Sequence, residues 1–91
     1  MADFKFALTA LKNGARVHRS EWVIISYVTY LPGYPEGILA NENNQKAHCI
    51  AEGSMLTYEP YFQGCLVNGG NIIVWSPSTQ DILAEDWEAI E

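Results

Sequence analysis

The clearest periodic pattern in this sequence lies at its start, where apolar residues recur with the spacing of one helix face. These residues are Phe4, Ala7, Leu8 and Leu11. Their i, i+3, i+4, i+7 spacing places all four on one side of a helix. The Asp3 carboxylate can accept the unpaired N–H groups of the first turn, and Gly14 can end the helix because glycine adopts the left-handed conformation freely. The pattern predicts a helix over residues 3–13 whose apolar face must be covered by other elements.

The rest of the chain consists mainly of short segments that are rich in β-branched and aromatic residues and are separated by turn residues. Such segments favour strands. The predicted strands cover residues 16–19, 23–31, 61–67, 72–75 and 86–90. The run Asn68-Gly69-Gly70-Asn71 lies between two of them and supplies the positive φ angles of a hairpin turn. We therefore expect an antiparallel sheet.

Three connections complete the fold prediction. Residues 32–37 are rich in proline and glycine and are predicted as a turn or loop. Residues 41–53 suit either a short helix closed by Gly53 or a flexible insertion, and the helix is favoured. Ser78 is placed as the N-cap of a short helix through Ala84. The predicted fold class is α+β, with the N-terminal helix packed on a small antiparallel β-sheet and short connecting helices.

The length and composition of the chain limit the class of protein to which it can belong. Its 91 residues form one domain, and a domain of this size hides only about 60–65% of the surface of the unfolded chain, so its core is thin. Hydrophobic residues make up 48% and aromatic residues 12%, which is too much for an intrinsically disordered chain. No apolar stretch approaches the ~20 residues that span a bilayer, and no secretory signal pattern opens the chain. We expect a cytoplasmic protein without membrane contact.

The charge of the chain limits its ligands. Five basic and eleven acidic residues give a formal net charge of −6, which argues against DNA or RNA as a partner. All the basic residues lie in the first half of the chain: Lys5, Lys12, Arg16, Arg19 and Lys46. A small ligand with a few phosphate groups can still be held by one arginine side chain and backbone N–H groups.

The histidines and cysteines indicate neither a metal site nor a redox site. His18 and His48 have no partners at the spacing of a metal site, which needs three or four ligands. Cys49 and Cys65 are expected to be reduced residues of the core. We expect no metal and no cofactor.

Three acidic residues near the last predicted helix allow two interpretations. Asp81, Glu85 and Asp86 can serve acid–base chemistry, or they can stabilise a helix terminus and lie in solvent. Asp81 stands three residues after Ser78, a spacing that suits a capping-box exchange of hydrogen bonds or contact with ligand hydroxyl groups.

The tryptophans and Arg19 are the strongest candidates for ligand contact. Trp87 alternates with Ile90 in the last predicted strand and is expected in the core. Trp22 and Trp75 stand beside turn residues at strand ends, where an indole ring can stack on a flat base or pack in the core. Arg19, three residues before Trp22, can hold a phosphate or remain an ordinary surface side chain.

Two blocks of the sequence resemble a known family. The opening block, residues 6–22, reads F-A-L-x-A-L-K-x-G-x-x-V-x-R-x-x-W, and the closing block, residues 74–87, reads V-W-S-P-S-T-Q-D-I-L-A-E-D-W. Together they cover about a third of the chain. In order and spacing they resemble the Thoeris anti-defence family, second type, a group of small phage and bacterial proteins.

This resemblance implies a protein that acts without catalysis, by sequestering an immune signal. Such proteins bind cyclic ADP-ribose isomers of the glycocyclic kind, made by Thoeris sensors in infected bacteria, and some members hold cyclic dinucleotides of CBASS systems in separate pockets. The family assembles as homotetramers with pockets between subunits, in the cytoplasm of the infected host. The ligand-binding residues implied here are Arg19, Trp22, Trp75, Ser78, Thr79 and Asp81. The two tryptophans face the base, the polar residues of the closing block meet ribose hydroxyls or phosphate, and Arg19 is the basic position.

Two other functions stay open on the residues alone. An enzyme could hydrolyse such a nucleotide with Asp81 or Asp86 as the base, although enzymes that hydrolyse phosphodiesters commonly use metals. An interaction module could instead inhibit a host protein through its acidic surface. Recovery of intact ligand after heating distinguishes sequestration from hydrolysis, and a protein partner without small-molecule binding would indicate the interaction module.

Overall fold

The computed structural model describes residues 2–90, in which one helix covers a sheet and a second hairpin projects from it. Its elements follow in the order α1 (Phe4–Lys12), β1 (Arg16–Arg19), β2 (Ile25–Leu31), β3 (Tyr34–Leu39), α2 (Glu42–His48), β4 (Met55–Tyr58), β5 (Tyr61–Leu66), β6 (Ile72–Trp75), α3 (Thr79–Leu83) and β7 (Trp87–Ile90). Five strands form an antiparallel sheet in the order β6-β5-β2-β1-β7, and β3 pairs with β4 in a separate sheet. The predicted α+β class is confirmed.

Helix α1 begins and ends close to its predicted limits because its caps are local. The Asp3 carboxylate accepts a hydrogen bond from the Phe6 N–H at 3.0 Å. Asn13 is the C-cap, and Gly14 follows it with a φ of +92°. Ala7 and Leu11 are buried where α1 contacts β1, β2 and β7. The helix therefore covers one face of the sheet with the apolar stripe that its sequence predicts.

The core lies between α1 and the five-stranded sheet. Its buried residues are Ala7, Leu11, Val17, Val28, Trp75 and Trp87. Val17 pairs with Val28 across β1 and β2, and Val28 pairs in turn with Gly64 of β5. A Cβ atom at Gly64 would lie 3.4 Å from Ile73 Cγ1, so glycine at this position leaves room for the side chains of β6. The expected burial of Trp87 is confirmed, since its exposed fraction is 2%.

The structure confirms the predicted strands, with the second shortened by two residues at its start and the third and fifth each shortened by one residue. The first, third, fourth and fifth correspond to β1, β5, β6 and β7, and the turn between β5 and β6 falls where the Asn-Gly-Gly-Asn run predicts it. The second begins at Ile25 instead of Val23. Val23 and Ile24 lie in a bend before β2 and are 83% and 72% exposed.

Residues 32–37 are not a loop, contrary to the prediction. Most of them belong to β3, which pairs with β4, a strand that the sequence analysis missed. The ladder changes register between Tyr34 and Ile38, and Pro35 and Gly37 lie within this irregular stretch. Proline and glycine content indicates only a local preference for turns, whereas the pairing of β3 depends on residues 55–58. The prediction was wrong for that reason.

The favoured helix within residues 41–53 is confirmed but is shorter than predicted. The Asn41 side chain accepts a hydrogen bond from the Asn44 N–H at 2.8 Å and caps the start of α2. The helix ends at Cys49, which adopts the left-handed conformation with a φ of 54°, well before Gly53. Cys49 is exposed and Cys65 is half-buried, so the prediction that both lie in the core was wrong, although both are free thiols.

We call residues 34–58 the arm and the other described residues the body. Leu31 pairs with Tyr61 and Tyr34 pairs with Tyr58, so the arm extends the β2–β5 hairpin beyond two short connections. The described chain measures 49 × 28 × 25 Å. Within the arm only Ala40 is buried. All other fully buried side chains of the core therefore belong to the body.

Candidate ligand-binding site

Arg19 lies at the centre of the candidate site, at the end of β1. Its Nε donates to Asp86 Oδ1 at 2.8 Å, its Nη1 to Asp81 Oδ1 at 3.0 Å and its Nη2 to Glu21 Oε2 at 2.8 Å. The Arg19 side chain is 12% exposed. One guanidinium therefore joins three carboxylates that come from the β1–β2 connection, from α3 and from the residue just before β7.

Asp81 holds the first turn of α3 to this cluster. Its Oδ2 accepts a hydrogen bond from the Ser78 N–H at 2.9 Å, and the Ser78 hydroxyl accepts one from the Asp81 N–H at 3.1 Å. This reciprocal pair is a capping box, so the predicted exchange between the two residues is confirmed. Asp81 is 8% exposed, and its Oδ1 is the oxygen that Arg19 contacts.

Asp86 holds the β1–β2 connection from the other side. Its Oδ2 accepts hydrogen bonds from the Ser20 hydroxyl at 3.2 Å and from the Glu21 N–H at 3.1 Å. The Ser20 N–H also donates to the Asp86 carbonyl oxygen at 3.2 Å. These bonds orient the connection just before Trp22, so the position of that indole ring depends on Asp86.

The network keeps its charges at neutral pH. The hydrogen bond from Arg19 lowers the pKa of Asp86 below its ordinary value. Burial acts to raise the pKa of Asp81, but hydrogen bonds from the Ser78 N–H and from Arg19 outweigh it and lower that pKa overall. The hydrogen bond to Asp86 raises the pKa of Arg19. A carboxylate with a lowered pKa is a weak base, which counts against hydrolysis with Asp81 or Asp86 as the general base.

The tryptophans form one aromatic cluster directly beside the carboxylates. The Trp22 centroid lies 5.9 Å from that of Trp75 and 5.2 Å from that of Trp87, with interplanar angles of 68° and 82°. The Trp87 Nε1 donates to the Asp81 carbonyl oxygen at 3.0 Å, so the cluster and α3 are connected. Trp75 is 7% exposed, whereas Trp22 is half-buried.

This edge-to-face geometry leaves no slot between Trp22 and Trp75 for a flat base. Two rings that sandwich a base must be parallel and farther apart than these. A base can instead contact the part of the Trp22 ring that solvent reaches. Trp75 lies behind Trp22 and supports it by an edge contact.

The structure brings five of the six predicted site residues into one contiguous group. Thr79 belongs to the same turn of α3 and is exposed. Around Arg19 the charges do not favour an anion, because one cation faces three carboxylates and the local net charge is −2. Glu21 is the most exposed of the three carboxylates at 77%, so it is the one that a ligand phosphate can most readily displace.

An open depression lies beside this cluster. It encloses about 410 Å³ and is lined by Arg19, Ser20, Glu21, Ala84, Glu85 and Asp86. That volume is within the range of small-molecule sites. Its acidic lining suits hydroxyl donors, such as those of ribose, better than phosphate groups.

Sequence analysis missed Ser20 and Glu21, and it treated Asp86 only as an acid or a solvated residue. Arg19 is separated from Asp81 and Asp86 by 62 and 67 positions, so no local sequence spacing predicts their contact. The available signal is the pair of acidic positions in the closing block, Asp81 and Asp86, combined with Arg19 at the end of the first strand.

A comparison with models of known protein families shows to which family the chain belongs. The family model of the Tad2-like proteins, described as the Thoeris anti-defense 2-like domain, matches residues 2–90. The chain belongs to the Tad2-like family. The family resemblance seen in the opening and closing blocks is thereby confirmed over nearly the whole chain, and membership supports a Thoeris anti-defence role.

Three further findings on this Tad2-like chain concern its relatives, membrane-spanning helices and metal-binding groups. No curated protein matches it significantly. Among residues 2–90, no helix is long and apolar enough to cross a membrane. The same part of the chain holds no group of three or more His, Cys, Asp and Glu residues that is arranged to bind a metal ion.

Proposed function

We propose that this Tad2-like chain binds and sequesters, without degrading, cyclic ADP-ribose-type signalling nucleotides, glycocyclic ADP-ribose in particular. Cyclic dinucleotides are the further ligand class of the proposal. Family membership supports an anti-defence role, and the observation that carries the ligand class is the position of Trp22. This partly exposed indole is held by edge contacts with Trp75 and Trp87, and the Trp87 N–H joins the cluster to Asp81 in the first turn of α3.

In this proposal the adenine base stacks on the accessible part of Trp22. Base–aromatic stacking contributes about 1–3 kcal/mol per base, and a ring that is already held in place loses little entropy on binding. Trp75 supports that ring from behind. The hydroxyl groups of Ser78 and Thr79 meet ribose oxygens, because one already points into the capping turn and the other is exposed next to it.

Asp81 and Arg19 complete the polar part of the site. Each Asp81 oxygen already accepts one hydrogen bond and retains a second lone pair for a ribose hydroxyl. In this proposal a phosphate group of the ligand replaces the exposed Glu21 carboxylate at Arg19 Nη2, and the guanidinium then neutralises the phosphate charge. Glu21 thus occupies the anion position until the nucleotide arrives.

The proposal includes assembly into a homotetramer in the cytoplasm of the infected host. The body has a small core, and thirteen large hydrophobic residues of the described chain are exposed, so subunit contacts would bury apolar surface that the single chain leaves in water. Assembly would also bring further side chains to an open site.

Native mass spectrometry with a panel of cyclic ADP-ribose isomers and cyclic dinucleotides tests the proposal. We expect a complex that releases unchanged nucleotide after heat denaturation. Nucleotide that returns cleaved would establish hydrolysis instead, and a chain that binds nothing in the panel but captures a protein would establish the interaction module.

Trp22→Ala then tests the site by calorimetry with the nucleotide that binds. We expect roughly 10- to 100-fold weaker binding, while Trp22→Phe, which keeps an aromatic ring, retains most of the affinity. Tyr34→Ala removes an exposed aromatic ring of the arm, which makes no ring contact with the tryptophan cluster, and serves as the matched control. Equal affinities for Trp22→Ala and wild type would remove Trp22 from the site.

A further inference from the structure

The turn that carries Trp22 is held at its consecutive backbone N–H groups. The Ser20 N–H donates to the Asp86 carbonyl oxygen at 3.2 Å, and the Glu21 N–H donates to Asp86 Oδ2 at 3.1 Å. The Trp22 N–H donates to the Arg19 carbonyl oxygen at 3.0 Å, which closes a turn of residues 19–22. Two of these backbone bonds therefore end at Asp86, which is separated from Glu21 by 65 positions in the chain.

The two carboxylate oxygens of Asp86 have different partners. Its Oδ1 accepts a hydrogen bond from Arg19 Nε at 2.8 Å. Its Oδ2 accepts from the Ser20 hydroxyl at 3.2 Å as well as from the Glu21 N–H. A carboxylate has about four lone-pair positions for hydrogen bonds, so bonds within the chain already fill most of those of Asp86. Asp86 therefore acts on the turn and leaves contact with a ligand to other residues.

The backbone of Asp86 is itself fixed by its neighbours. Asp86 forms a bridge with Ala2, and the Trp87 N–H donates to the Ala2 carbonyl oxygen at 3.2 Å. Trp87 is buried, and its ring centroid lies 5.2 Å from that of Trp22. Two consecutive residues thus hold Trp22, Asp86 through the turn and Trp87 through the ring.

The chain that follows Trp22 is much more open. Val23 and Ile24 are exposed, and a backbone hydrogen bond of 2.8 Å joins the Ile24 carbonyl oxygen to the Val67 N–H. A turn with exposed neighbours can open locally while the core stays folded. Without the Asp86 carboxylate, we therefore expect the Trp22 side chain to sample several orientations in a folded body.

We propose that Asp86 is a positioning residue for nucleotide binding, which holds the turn of residues 19–22 so that the Trp22 ring is already oriented when the base arrives. This inference rests on the proposed function, in which the base stacks on Trp22. The apparent affinity for a ligand falls with the fraction of molecules whose site is in the binding conformation. Ordering one mobile side chain on binding weakens association roughly 2- to 10-fold, and this is the loss that removal of the Asp86 carboxylate should cause.

The test compares Asp86→Ala with Asp3→Ala by two measurements. The first is the heteronuclear NOE of the Trp22 indole N–H without ligand, which reports its fast motion and is assigned by the loss of its signal in Trp22→Phe. The second is calorimetry with the nucleotide that the wild type binds. We expect Asp86→Ala to lower the NOE and to bind the nucleotide roughly 2- to 10-fold more weakly.

Asp3→Ala is the matched control for the loss of a carboxylate. The Asp3 side chain also accepts a backbone N–H, but at the start of α1. We expect this variant to keep the Trp22 NOE and the nucleotide affinity of the wild type, although it loses a helix cap. Equal losses in Asp3→Ala and Asp86→Ala would show a general loss of stability and would overturn the inference.

Asp86→Asn separates hydrogen bonding from charge. Its amide oxygen can still accept from Ser20 and Glu21, so we expect the Trp22 NOE and the affinity to stay closer to the wild type than those of Asp86→Ala. Equal losses in Asp86→Asn and Asp86→Ala, or wild-type affinity in a folded Asp86→Ala chain, would overturn the inference.

If Asp86→Ala does not fold, Ser20→Ala takes its place, because it removes one bond to Oδ2 and leaves the bond from Arg19 to Oδ1. It should lower the Trp22 NOE and the affinity by smaller amounts, and unchanged values of both would overturn the inference. A wild type that binds no nucleotide contradicts the proposed function instead. The Trp22 NOE, which is measured without ligand, then still decides whether Asp86 positions the ring.

Discussion

The body and the arm both combine antiparallel strands with helix, five strands in the body and two in the arm, yet they differ in how they bury side chains. The body packs α1 and three tryptophans against its sheet, whereas the arm buries only Ala40. An isolated two-stranded hairpin is at best marginally stable in water. The comparison teaches that hydrogen-bonded strands alone do not make a stable unit, and that the arm depends on its attachment to the body.

The largest effect should come from Trp87→Ala in the core of the body. Trp87 is 2% exposed, contacts the rings of Trp22 and Trp75, and donates to the Asp81 carbonyl oxygen. Replacing a buried tryptophan by alanine costs about 3–5 kcal/mol of unfolding free energy, measured by urea unfolding. Leu39→Ala in the arm, where Leu39 is 64% exposed, should cost less than about 1 kcal/mol.

If Trp87→Ala does not fold, Trp87→Phe keeps the comparison measurable, because it removes the indole N–H and part of the ring. It should still lose more stability than Leu39→Ala. Equal losses at the two positions would mean that the arm contributes to the core as much as the body does.

Acid should weaken the body next, through the Arg19 network. The pKa values of Asp81 and Asp86 lie below their ordinary 3.8 in the folded chain, so their contribution is present above that pH and is lost as the pH falls below it. We expect a lower Tm below about pH 4 in calorimetric scans from pH 2 to pH 7. Arg19→Gln removes the guanidinium that lowers both values and should flatten this dependence. A Tm of the wild type that stays constant down to pH 2 would contradict the network.

A smaller effect, confined to the arm, is expected for Gly33→Ala. Gly33 has a φ of +72°, and an added Cβ would collide with the Tyr58 carbonyl oxygen, where the arm joins the body. Such backbone strain costs about 1–3 kcal/mol. We expect faster amide exchange in residues 34–58 and unchanged exchange in α1 and β1.

Gly53→Ala is the matched control for that substitution. Gly53 also has a positive φ, of +90°, but no atom lies within 4 Å of an added Cβ. Its exchange rates should change less than those of Gly33→Ala. Faster exchange throughout the body in Gly33→Ala would show that body and arm unfold as one unit.

The smallest effect on stability should come from Glu21→Gln. Glu21 is 77% exposed, and exposed ion pairs contribute at most about 1 kcal/mol. If a phosphate replaces the Glu21 carboxylate at Arg19, removing the charge should tighten nucleotide binding several-fold in calorimetry. Glu88→Gln, on β7, removes one charge elsewhere in the body and should leave the affinity unchanged. Weaker binding by Glu21→Gln would assign Glu21 a direct ligand contact instead.

Much of the body follows from local sequence. The spacing of Phe4, Ala7, Leu8 and Leu11 is sufficient to define α1, and the Asn-Gly-Gly-Asn run is sufficient for the β5–β6 turn. The capping box of Ser78 and Asp81 is likewise a contact between residues three positions apart. The bonds that decide these features join neighbours in the chain, so residue identity and spacing predict them.

Only the tertiary structure determines the strand pairing of the arm and the side-chain contacts of the candidate site. The strands β3 and β4 are defined by their mutual pairing across α2, against the local preference of proline and glycine. Arg19 meets Asp81 and Asp86 only because the sheet brings β1 and β7 side by side, and Trp22 rests edge-on against Trp75 because of how the core packs. Contacts between residues far apart in the chain depend on the sum of burial and pairing over the whole fold, and no local stretch of sequence contains that sum.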